Sequence, residues 1–489
     1  MVNSLCTLHL VHLKDEDLWR RLQRVYSRSG SGRWLKKSKS SSQAQASRAS
    51  LRPSLLASST LRRPSKFNIQ LYDKATELRV IGASIALSPN GLRTLERLGV
   101  HSALEDDNVA FRGPSALPMI YRHWKTNEIV SVDRFVNVPD TNHQTARFHR
   151  AHLHQALLAH VPDCAKTHLG KAVKSAEVGS DGVTLVFEDG MNARGDILIG
   201  ANGLRSKVRR TFKPEHTLHY TGRTWIRSTF DASLVEHIPN LPADSTHWWG
   251  PTHTFFASRL GRNMYSTVSN YDPKDFPGPA EGEGKGENFH SWDQEGDVSF
   301  FRGLYKDWNP VVKALANATP HVRMYPNLAG EPLDSWVFDS RVTLVGDAAH
   351  THGGAHAAGG SLALDDSWAL YLSFKHVLAM ANLESCQGQN QTPSVEDIQL
   401  ALTLYEKTRR PHTEQLVRSV LAGVGAAAPT TDAELRQRME SRPSMTWLTE
   451  HDVEATFAKV LHDQDLLPGG REQQSVPGLS LLPPEQSRL

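Results

Sequence analysis

The alternation of apolar and polar residues predicts where regular structure starts in this chain. Phe67–Tyr72 alternates like a half-buried strand and is followed at once by Asp73. Ser88 and Pro89 match the N-cap and the first position of a helix, whose leucines recur at helical spacing until Gly99. We therefore expect order to begin near the first of these strands, with a helix after it.

The patterns farther along predict alternating strands and helices. Leucines on one face predict a helix over Arg150–Val161, a long helix is predicted from about Ser361, and further helices over 397–463. The predicted strands are Gly182–Glu188, Asp196–Gly200, Thr224–Phe230, His253–Phe256, Met264–Val268 and Arg341–Gly346. Between residues 212 and 334 the strands are separated by turns, which is typical of a mixed sheet. We therefore expect an α/β fold.

Composition excludes two broad classes of protein. Hydrophobic residues make up 39% and charged residues 22% of the 489 positions, as in ordinary globular proteins. No apolar run approaches the roughly 18 residues that span a bilayer. The three cysteines lie far apart, so we expect neither a disulfide framework nor a thiolate metal site. This cysteine usage favours a reducing compartment and a cytoplasmic protein.

The charge is uneven along the chain. Residues 1–66 contain 14 Lys or Arg and 3 acidic residues, whereas the remainder has 41 basic and 49 acidic residues. A basic, Ser-rich leader is typical of a nucleic-acid arm, an organellar targeting peptide or a disordered segment. We favour the disordered segment. We expect no nucleic-acid partner, because the rest of the chain is acidic and has no zinc-finger or RNA-binding signature.

Two strand-to-helix turns contain the residues with the clearest chemistry. Val342–His350 places Asp347 at the carboxyl end of an apolar strand, before a glycine-rich turn and a helix. Ligands of α/β proteins bind at such strand ends, where a carboxylate accepts hydrogen bonds from sugar or ribityl hydroxyls and helix N–H groups favour an electron-rich ring. Gly195–Arg209 repeats the order of strand, glycine turn and basic helix. Alone, each motif also fits an ordinary turn.

Together these motifs resemble those of the FAD-dependent aromatic hydroxylases, especially the fungal salicylate-hydroxylase-like monooxygenases. The resemblance extends over roughly residues 67–463 and rests on six landmarks in the family's order. They are Phe67–Asp73 with the following Glu77–Ile85, the helix between Ser88 and Gly99, Phe148–Arg150, Asn202–Gly203, Gly346–His350 and Tyr405–Pro411.

The resemblance implies the fold and its division along the chain. We expect a discontinuous Rossmann-like FAD-binding domain, an inserted mixed β-sheet substrate domain and C-terminal helices. The segments are a non-matching leader over 1–66, the FAD-binding domain over 67–215 and 335–380, the substrate domain over 216–334, C-terminal helices over 381–463 and a loose tail over 464–489.

The resemblance also implies which residues hold the cofactor. The implied contacts are Asp73 at the adenosine ribose of FAD, Asp347 at the ribityl or pyrophosphate region, Gly360 at the isoalloxazine ring, and Arg150, Ala83 and Ser84 near the cofactor. NADH or NADPH would reduce the flavin, and O2 would supply the oxygen atom added to a phenolic ring.

One landmark of the family is missing. The first strand should lead into G-x-G-x-x-G about 20 residues before the ribose-binding acid, but residues 49–54 contain no glycine, and Gly30–Gly32 has no third glycine and no preceding apolar strand. Thr7–Leu13 is strand-like but lies far upstream. We therefore expect the pyrophosphate cradle and the central strand to be absent. Either residues 1–66 are not the natural start of the protein, which we favour, or the chain is a degenerate, non-catalytic relative that binds FAD poorly.

The mixed sheet supplies two candidate catalytic residues. Arg227 would hold a carboxylate or phenolate, although a surface ion pair fits equally well, and Tyr265 would orient a phenol, although a core position is more typical. His350, His352 and His356 have no acid or cysteine in register, so we expect no metal site. The resemblance thus implies an enzyme, of fungal secondary metabolism, that hydroxylates a phenolic or aromatic-acid substrate.

Overall fold

The computed structural model describes residues 67–77, 83–100, 109–162, 164–275, 294–384 and 393–464, together with the backbone of residues 8–13. The remainder of the expected leader, the expected tail beyond residue 464 and residues 78–82 of the first landmark lie outside these described residues.

The regular elements are numbered in chain order. The helices are α1 Pro89–Arg97, α2 Arg150–Leu158, α3 Lys207–Phe212, α4 Val298–Leu304, α5 Pro310–Ala318, α6 Gly359–Glu384, α7 Val395–Ala422, α8 Asp432–Glu440, α9 Thr446–Thr449 and α10 Val453–His462. The strands are β1 Leu8–Leu13, β2 Phe67–Tyr72, β3 Ser84–Leu87, β4 Ala110–Phe111, β5 Ile120–His123, β6 Ile129–Val132, β7 Ala146–His149, β8 Ala165–His168, β9 Val173–Gly179, β10 Gly182–Phe187, β11 Asn192–Gly195, β12 Ile197–Gly200, β13 Leu218–Asp231, β14 Thr246–Trp249, β15 Thr254–Leu260, β16 Met264–Tyr271, β17 Gln294–Gly296, β18 Val322–Gly330, β19 Val337–Phe338 and β20 Val342–Leu344.

The first sheet has six strands in the order β19-β20-β12-β1-β2-β8. Strands β12 and β20 are parallel, as are β2 and β8, so the two pairs form the halves of a Rossmann-like sheet. Helices α6 and α7 pack beside this sheet, with Trp336, Trp368 and Tyr405 buried in the shared core. The Tyr405 hydroxyl donates to Leu344 O at 2.9 Å, which fixes α7 against β20.

The second sheet has eight strands in the order β17-β18-β13-β16-β15-β14-β5-β6 and contains both parallel and antiparallel pairs. Helices α4 and α5 cover one of its faces, where Trp248, Phe255 and Tyr305 form an aromatic core. Helix α5 starts here because the side chain of Asn309 accepts hydrogen bonds from two free N–H groups of its first turn and Pro310 has the φ of a helix. Helices α4 and α5 do not cover the opposite face of the sheet.

The structure confirms the predicted α/β class and most of the predicted elements. The strand Phe67–Tyr72 and the helix Pro89–Arg97 with Ser88 at its N-cap lie where the patterns place them. The strand predicted over Arg341–Gly346 is shorter, because Gly346 already starts a 3₁₀ turn. Within the described residues, no helix combines the length and the apolar character that crossing a membrane requires.

The expectation that the central strand is absent is wrong. Strand β1 fills the position between β12 and β2, but it runs antiparallel to both neighbours, with His9 opposite Ile199 and Leu8 opposite Tyr72. In a Rossmann-like sheet this strand is parallel, and its carboxyl end leads into the phosphate-binding turn. Here the carboxyl end of β1, at Leu13, lies at the opposite end of the strands, beside the first residue of β2.

Burial of neutral histidines predicts how stability depends on pH. His253 and His352 are 6% and 2% exposed, and burial lowers the pKa of each to about 4. An unfolded chain has the ordinary histidine pKa of about 6.5, so it takes up protons first as the pH falls. Stability present above about pH 6.5 should therefore be lost toward pH 4, by about 1.4 kcal/mol per pH unit for each histidine.

Urea denaturation at several pH values measures this loss. Asp365 opposes it, because burial raises the pKa of that carboxyl to about 6 and its protonation on acidification favours the folded state. A His253→Asn/His352→Asn variant should show a smaller dependence on pH than the parent chain. Equal slopes in the two proteins would contradict the prediction.

Candidate active site

A cleft lies beside the second sheet, between it and a wall that includes β3 of the three-stranded sheet β3-β7-β4, with about 820 Å³ of space including the part open to solvent. The first wall comes from β3, the start of α2, the turn after β20 and the start of α6. The second wall comes from β13, β18 and the loop after the β20 turn. The residues used below for the first wall are Ser84, Arg150, Asp347, Gly359 and Gly360, and those for the second are Trp225, Arg227, Tyr325, Asn327 and His352.

The turn that presents Asp347 to the cleft is held from behind by Asp366. Gly346 has φ +59°, a left-handed conformation that glycine adopts without strain. Its N–H donates to Asp366 Oδ2 at 2.8 Å, and His350 Nε2 lies 2.7 Å from the same oxygen. Both side chains are buried, at 0% and 3% exposure. The turn therefore cannot move without breaking hydrogen bonds to a buried carboxylate.

The charge of Asp366 is balanced by Arg409 of helix α7, whose Nε donates to Oδ1 at 2.9 Å. Burial alone raises the pKa of Asp366, but His350, Arg409 and the Gly346 N–H stabilise the carboxylate and lower the pKa to about 2. The neighbouring Asp365 has weaker partners, so burial raises its pKa to about 6. Asp366 is thus the permanently charged member of the pair.

Arg209 of helix α3 holds the same turn from the other side. Its Nη1 donates to the carbonyl oxygens of Asp347 at 3.1 Å and Ala348 at 3.0 Å. Burial lowers the pKa of Arg209 to about 10, which still leaves it a cation at neutral pH. A buried cation on these carbonyls fixes the backbone so that the Asp347 side chain lines the cleft.

The first wall is completed by β3 and α2. The backbone N–H of Arg150 donates to Ala83 O at 2.9 Å, so helix α2 begins directly against β3. Ser84 accepts a hydrogen bond from Ser266 of β16 at 2.8 Å, which joins this wall to the second sheet. Arg150 is 8% exposed and lines the cleft.

The second wall presents polar side chains from two adjacent strands. Trp225 and Arg227 lie on β13, with the guanidinium carbon 5.9 Å from the indole centroid, and Asn327 lies on β18. Burial lowers the pKa of Arg227. Arg227 Nε, Trp225 Nε1 and Asn327 Oδ1 are buried and have no hydrogen-bond partner among the described residues. These groups can hydrogen-bond a small molecule in the cleft.

The structure brings five of the predicted residues together at the cleft. They are Ser84, Arg150, Arg227, Asp347 and Gly360. Ala83 is buried behind the first wall, where its carbonyl accepts from Arg150. Asp73 follows β2 and accepts a hydrogen bond from Ala75 N–H at 2.8 Å, outside the cleft lining. Its predicted role at a ribose stays a prediction.

Tyr265 does not lie at the cleft. It is 1% exposed within the aromatic core between the second sheet and α4 and α5. Tyr265 lies opposite Phe230 of β13, which points into the same core. Arg227 precedes Phe230 by three residues on that strand, so its side chain lies on the other face of the sheet. Because side chains alternate between faces of a strand, the predicted orientation of a phenol by Tyr265 is wrong, and the residue is a core tyrosine.

Gly360 has a packing role in addition to its place at the cleft. A Cβ at this position would lie 2.8 Å from Ile85 Cδ1, closer than real contacts allow. Glycine at residue 360 therefore lets helix α6 start against β3 without a shift of the Ile85 side chain. The sequence indicated that Gly360 allows a close approach of the flavin ring, whereas the nearest side chain in the structure is that of Ile85.

Several site residues were not identified from the sequence. Asp366 and Arg209 support the Asp347 turn, and Trp225 and Asn327 line the second wall. The position of Trp225 two residues before Arg227 on one strand was the available signal, since such residues share a face. Nothing local distinguishes Asp366, because its partners come from distant parts of the chain.

The comparisons with known proteins agree with this architecture. No family model matches the sequence. The chain is 26% identical over 365 residues to 6-hydroxynicotinate 3-monooxygenase of Pseudomonas fluorescens, covering 72% of this chain and 84% of the relative. It is 27% identical over 403 residues to 3-amino-4-hydroxybenzoate 2-monooxygenase of Streptomyces cremeus, covering 80% and 91%.

Solved structures show the same fold. A salicylate hydroxylase in complex with its substrate matches with a TM-score of 0.61 and 21% identity, covering 77% of this chain and 90% of that one. CtdE in complex with FAD and a substrate matches with a TM-score of 0.62 and 16% identity, covering 81% and 93%. The fold of this chain is that of the FAD-binding monooxygenases.

The relatives agree in their class of reaction. They are monooxygenases and hydroxylases of aromatic compounds, and they do not favour the non-catalytic alternative. The chain resembles the FAD-dependent monooxygenases of the aromatic-hydroxylase type in sequence and in fold, which supports an enzyme of this kind with FAD as its cofactor.

The first wall fits the ring end of a flavin. It combines a cation at Arg150, a carboxylate at Asp347 and a hydroxyl at Ser84, which suit a ring system with several hydrogen-bonding edges. Helix α6 has 26 residues and begins at Gly359 on the cleft, so its positive end favours the anionic form of a reduced flavin.

The nucleotide end of FAD has no comparable site in the described residues. A parallel first strand would deliver a backbone turn for the pyrophosphate at the edge where Tyr72 and Gly200 end. Strand β1 presents its amino end, Leu8, at that edge. The ring end of the cofactor therefore fits the structure, while the described residues form no backbone cradle for the pyrophosphate.

We expect FMN, which lacks the adenosine half, to bind within about tenfold of the affinity of FAD, because the contacts that favour FAD are missing. Quenching of flavin fluorescence on titration with the protein measures both affinities. Asp347→Asn should weaken both ligands by the same factor. A preference for FAD above about 100-fold would contradict the prediction and show that another segment holds the pyrophosphate.

The Asp366 network predicts a large loss of stability on one substitution. Asp366→Asn leaves Arg409 buried without its main counter-charge, so the free energy of unfolding should fall by about 3–5 kcal/mol. Asp347→Asn, at the cleft surface, should change it by less than about 1 kcal/mol while weakening flavin binding. Urea denaturation of both variants separates the structural role of Asp366 from the binding role of Asp347. Similar losses of unfolding free energy in the two variants would contradict this prediction.

Proposed function

We propose that this protein hydroxylates an aromatic acid or phenol, with FAD as the cofactor, NADH or NADPH as the reductant and O2 as the source of the oxygen atom. One observation supports the substrate class. Arg227 is a mostly buried cation in the second wall, opposite the wall that fits a flavin. The buried guanidinium is stabilised by an anionic partner, and an aromatic carboxylate or phenolate supplies one.

The relatives support the same class of substrate. The names of two of them specify 6-hydroxynicotinate and 3-amino-4-hydroxybenzoate, which are aromatic acids with a ring hydroxyl. A substrate of this kind would place its carboxylate on Arg227 and its ring against Trp225. We further propose a role in secondary metabolism and a cytoplasmic location, on the basis of the resemblance to fungal enzymes and the cysteine usage.

Each wall would make a separate contribution to the reaction. When bound, the reduced flavin supplies the chemistry that activates O2. Arg150, Asp347 and Ser84 would hold the ring system, and the second wall would orient the substrate toward it. Trp225 and Tyr325 line the second wall, where their rings would exclude water from a bound substrate and strengthen its hydrogen bonds and ion pairs.

Reconstitution with FAD followed by a substrate screen tests the proposal. The visible spectrum shows whether flavin binds, and NADH or NADPH oxidation is then followed with hydroxybenzoates, benzoates and hydroxypyridine carboxylates. We expect at least one aromatic acid to stimulate oxidation and to yield a product heavier by one oxygen atom in mass spectrometry. A chain that binds FAD but oxidises no reductant with any of these compounds would overturn the proposed function.

Arg227→Gln should raise the dissociation constant of an aromatic acid by about 30-fold or more, because the anion loses a desolvated ionic partner. Arg259→Gln is the matched control, since Arg259 makes a surface ion pair with Glu236 at 3.1 Å and such pairs contribute little. Calorimetric titration measures both variants. Equal affinities for the two variants would show that Arg227 does not hold the anion.

A further inference from the structure

His352 is a buried polar side chain in the second wall whose hydrogen bonds are not accounted for. It is 2% exposed and lines the cleft. Neither ring nitrogen has a hydrogen-bond partner among the described residues. Buried polar atoms in native proteins are almost always paired, so an imidazole with two unpaired nitrogens at a ligand cleft indicates contact with a ligand.

The backbone fixes where this ring can lie. His352 pairs with Ala329 in an isolated β-bridge, and Gly330 N–H donates to Thr351 O at 3.2 Å. The loop is therefore attached to the end of β18, the strand that carries Asn327. This attachment is part of the fold and needs no ligand to form it.

Two further polar groups converge on the same short loop. A Cβ at Gly353 would lie 2.6 Å from Asn327 Oδ1, so the Asn327 amide packs directly on the residue after His352. A Cβ at Gly354 would lie 3.8 Å from Arg227 Nη2. An anion held by Arg227 would thus lie beside the loop that carries His352 and beside Asn327 of β18.

We propose that His352 orients the substrate by hydrogen-bonding a hydroxyl group on its aromatic ring, while Arg227 holds the acidic group of the same molecule. This inference rests on the proposed function and adds the residue that distinguishes a hydroxylated aromatic acid from one without a hydroxyl. The imidazole accepts the hydroxyl proton in a hydrogen bond at one nitrogen, and Asn327 offers a second polar contact beside it.

The surroundings of His352 keep its ring neutral. Burial lowers its pKa to about 4; Asp347 opposes this shift, whereas His350 and His356 add to it. Arg227 and Tyr325 of the second sheet line the same wall of the cleft. A neutral imidazole has one nitrogen free to accept a hydrogen bond. The preference for an aromatic acid with a ring hydroxyl over one without should therefore not change between about pH 6 and pH 8.

Calorimetric titration of the FAD-supplemented full chain with benzoate, 2-hydroxybenzoate and 4-hydroxybenzoate tests the proposal. We expect at least one hydroxybenzoate to bind about tenfold more tightly than benzoate, and the corresponding methoxybenzoate to lose that advantage. In His352→Leu the ratio of affinities should fall to about two or less. His352→Gln, which can still accept a hydrogen bond, should retain most of it.

His356→Asn is the matched control, because His356 is in the same loop, is exposed and does not line the cleft. It should retain the parent ratio. An unchanged ratio in His352→Leu, or equal binding of benzoate, hydroxybenzoate and methoxybenzoate by the parent chain, would overturn the role of His352 and leave the proposed function intact. Failure of the parent chain to bind any of these acids would overturn the proposed aromatic-acid substrate, and the role of His352 with it.

Discussion

The buried carboxylate of Asp366 in helix α6 joins the turn after β20 to helix α7. It accepts hydrogen bonds from the Gly346 N–H at the end of β20, from His350 in the following turn and from Arg409 in α7. A buried charge is tolerated only when it is paired and hydrogen-bonded. The turn, helix α6 and helix α7 are therefore held in one arrangement. Asp347 reaches the cleft because the N–H of the preceding Gly346 is bonded to Asp366.

The cleft exists only where the second sheet meets β3 of the three-stranded sheet and the turn after β20. Ser266 of the second sheet donates to Ser84 of β3, and the backbone of His352 pairs with Ala329 of β18. One wall thereby provides groups that suit a flavin ring, and the other provides Arg227 for an anionic substrate. Each wall alone would expose its polar groups to water, where hydrogen bonds and ion pairs are weaker. The contact between the sheets gives both walls a shared, partly desolvated space.

In a Rossmann-like sheet the first strand both fills the central position and leads into the phosphate-binding turn. The reversed strand β1 does only the first of these. Its position in the sheet is filled, so β12 and β2 still have a neighbour between them. Its direction places Leu13 away from the ligand-binding edge, so the strand cannot lead into a pyrophosphate turn there. The ring end of the cofactor site depends on β20, α2 and α6, which are unaffected by this reversal.

The sequence by itself determined the features that depend on a few neighbouring residues. Periodicity and caps predicted β2 and α1, and the apolar strand before Asp347 predicted a ligand-binding turn. The resemblance supplied the family. Tertiary structure decided the direction of β1, the face on which Tyr265 lies and the partners of Asp366. Alternation and capping are short-range effects that a sequence displays directly. Strand direction, the choice of buried face and the pairing of buried charges depend on packing between segments that are not neighbours in the sequence, which no local pattern records.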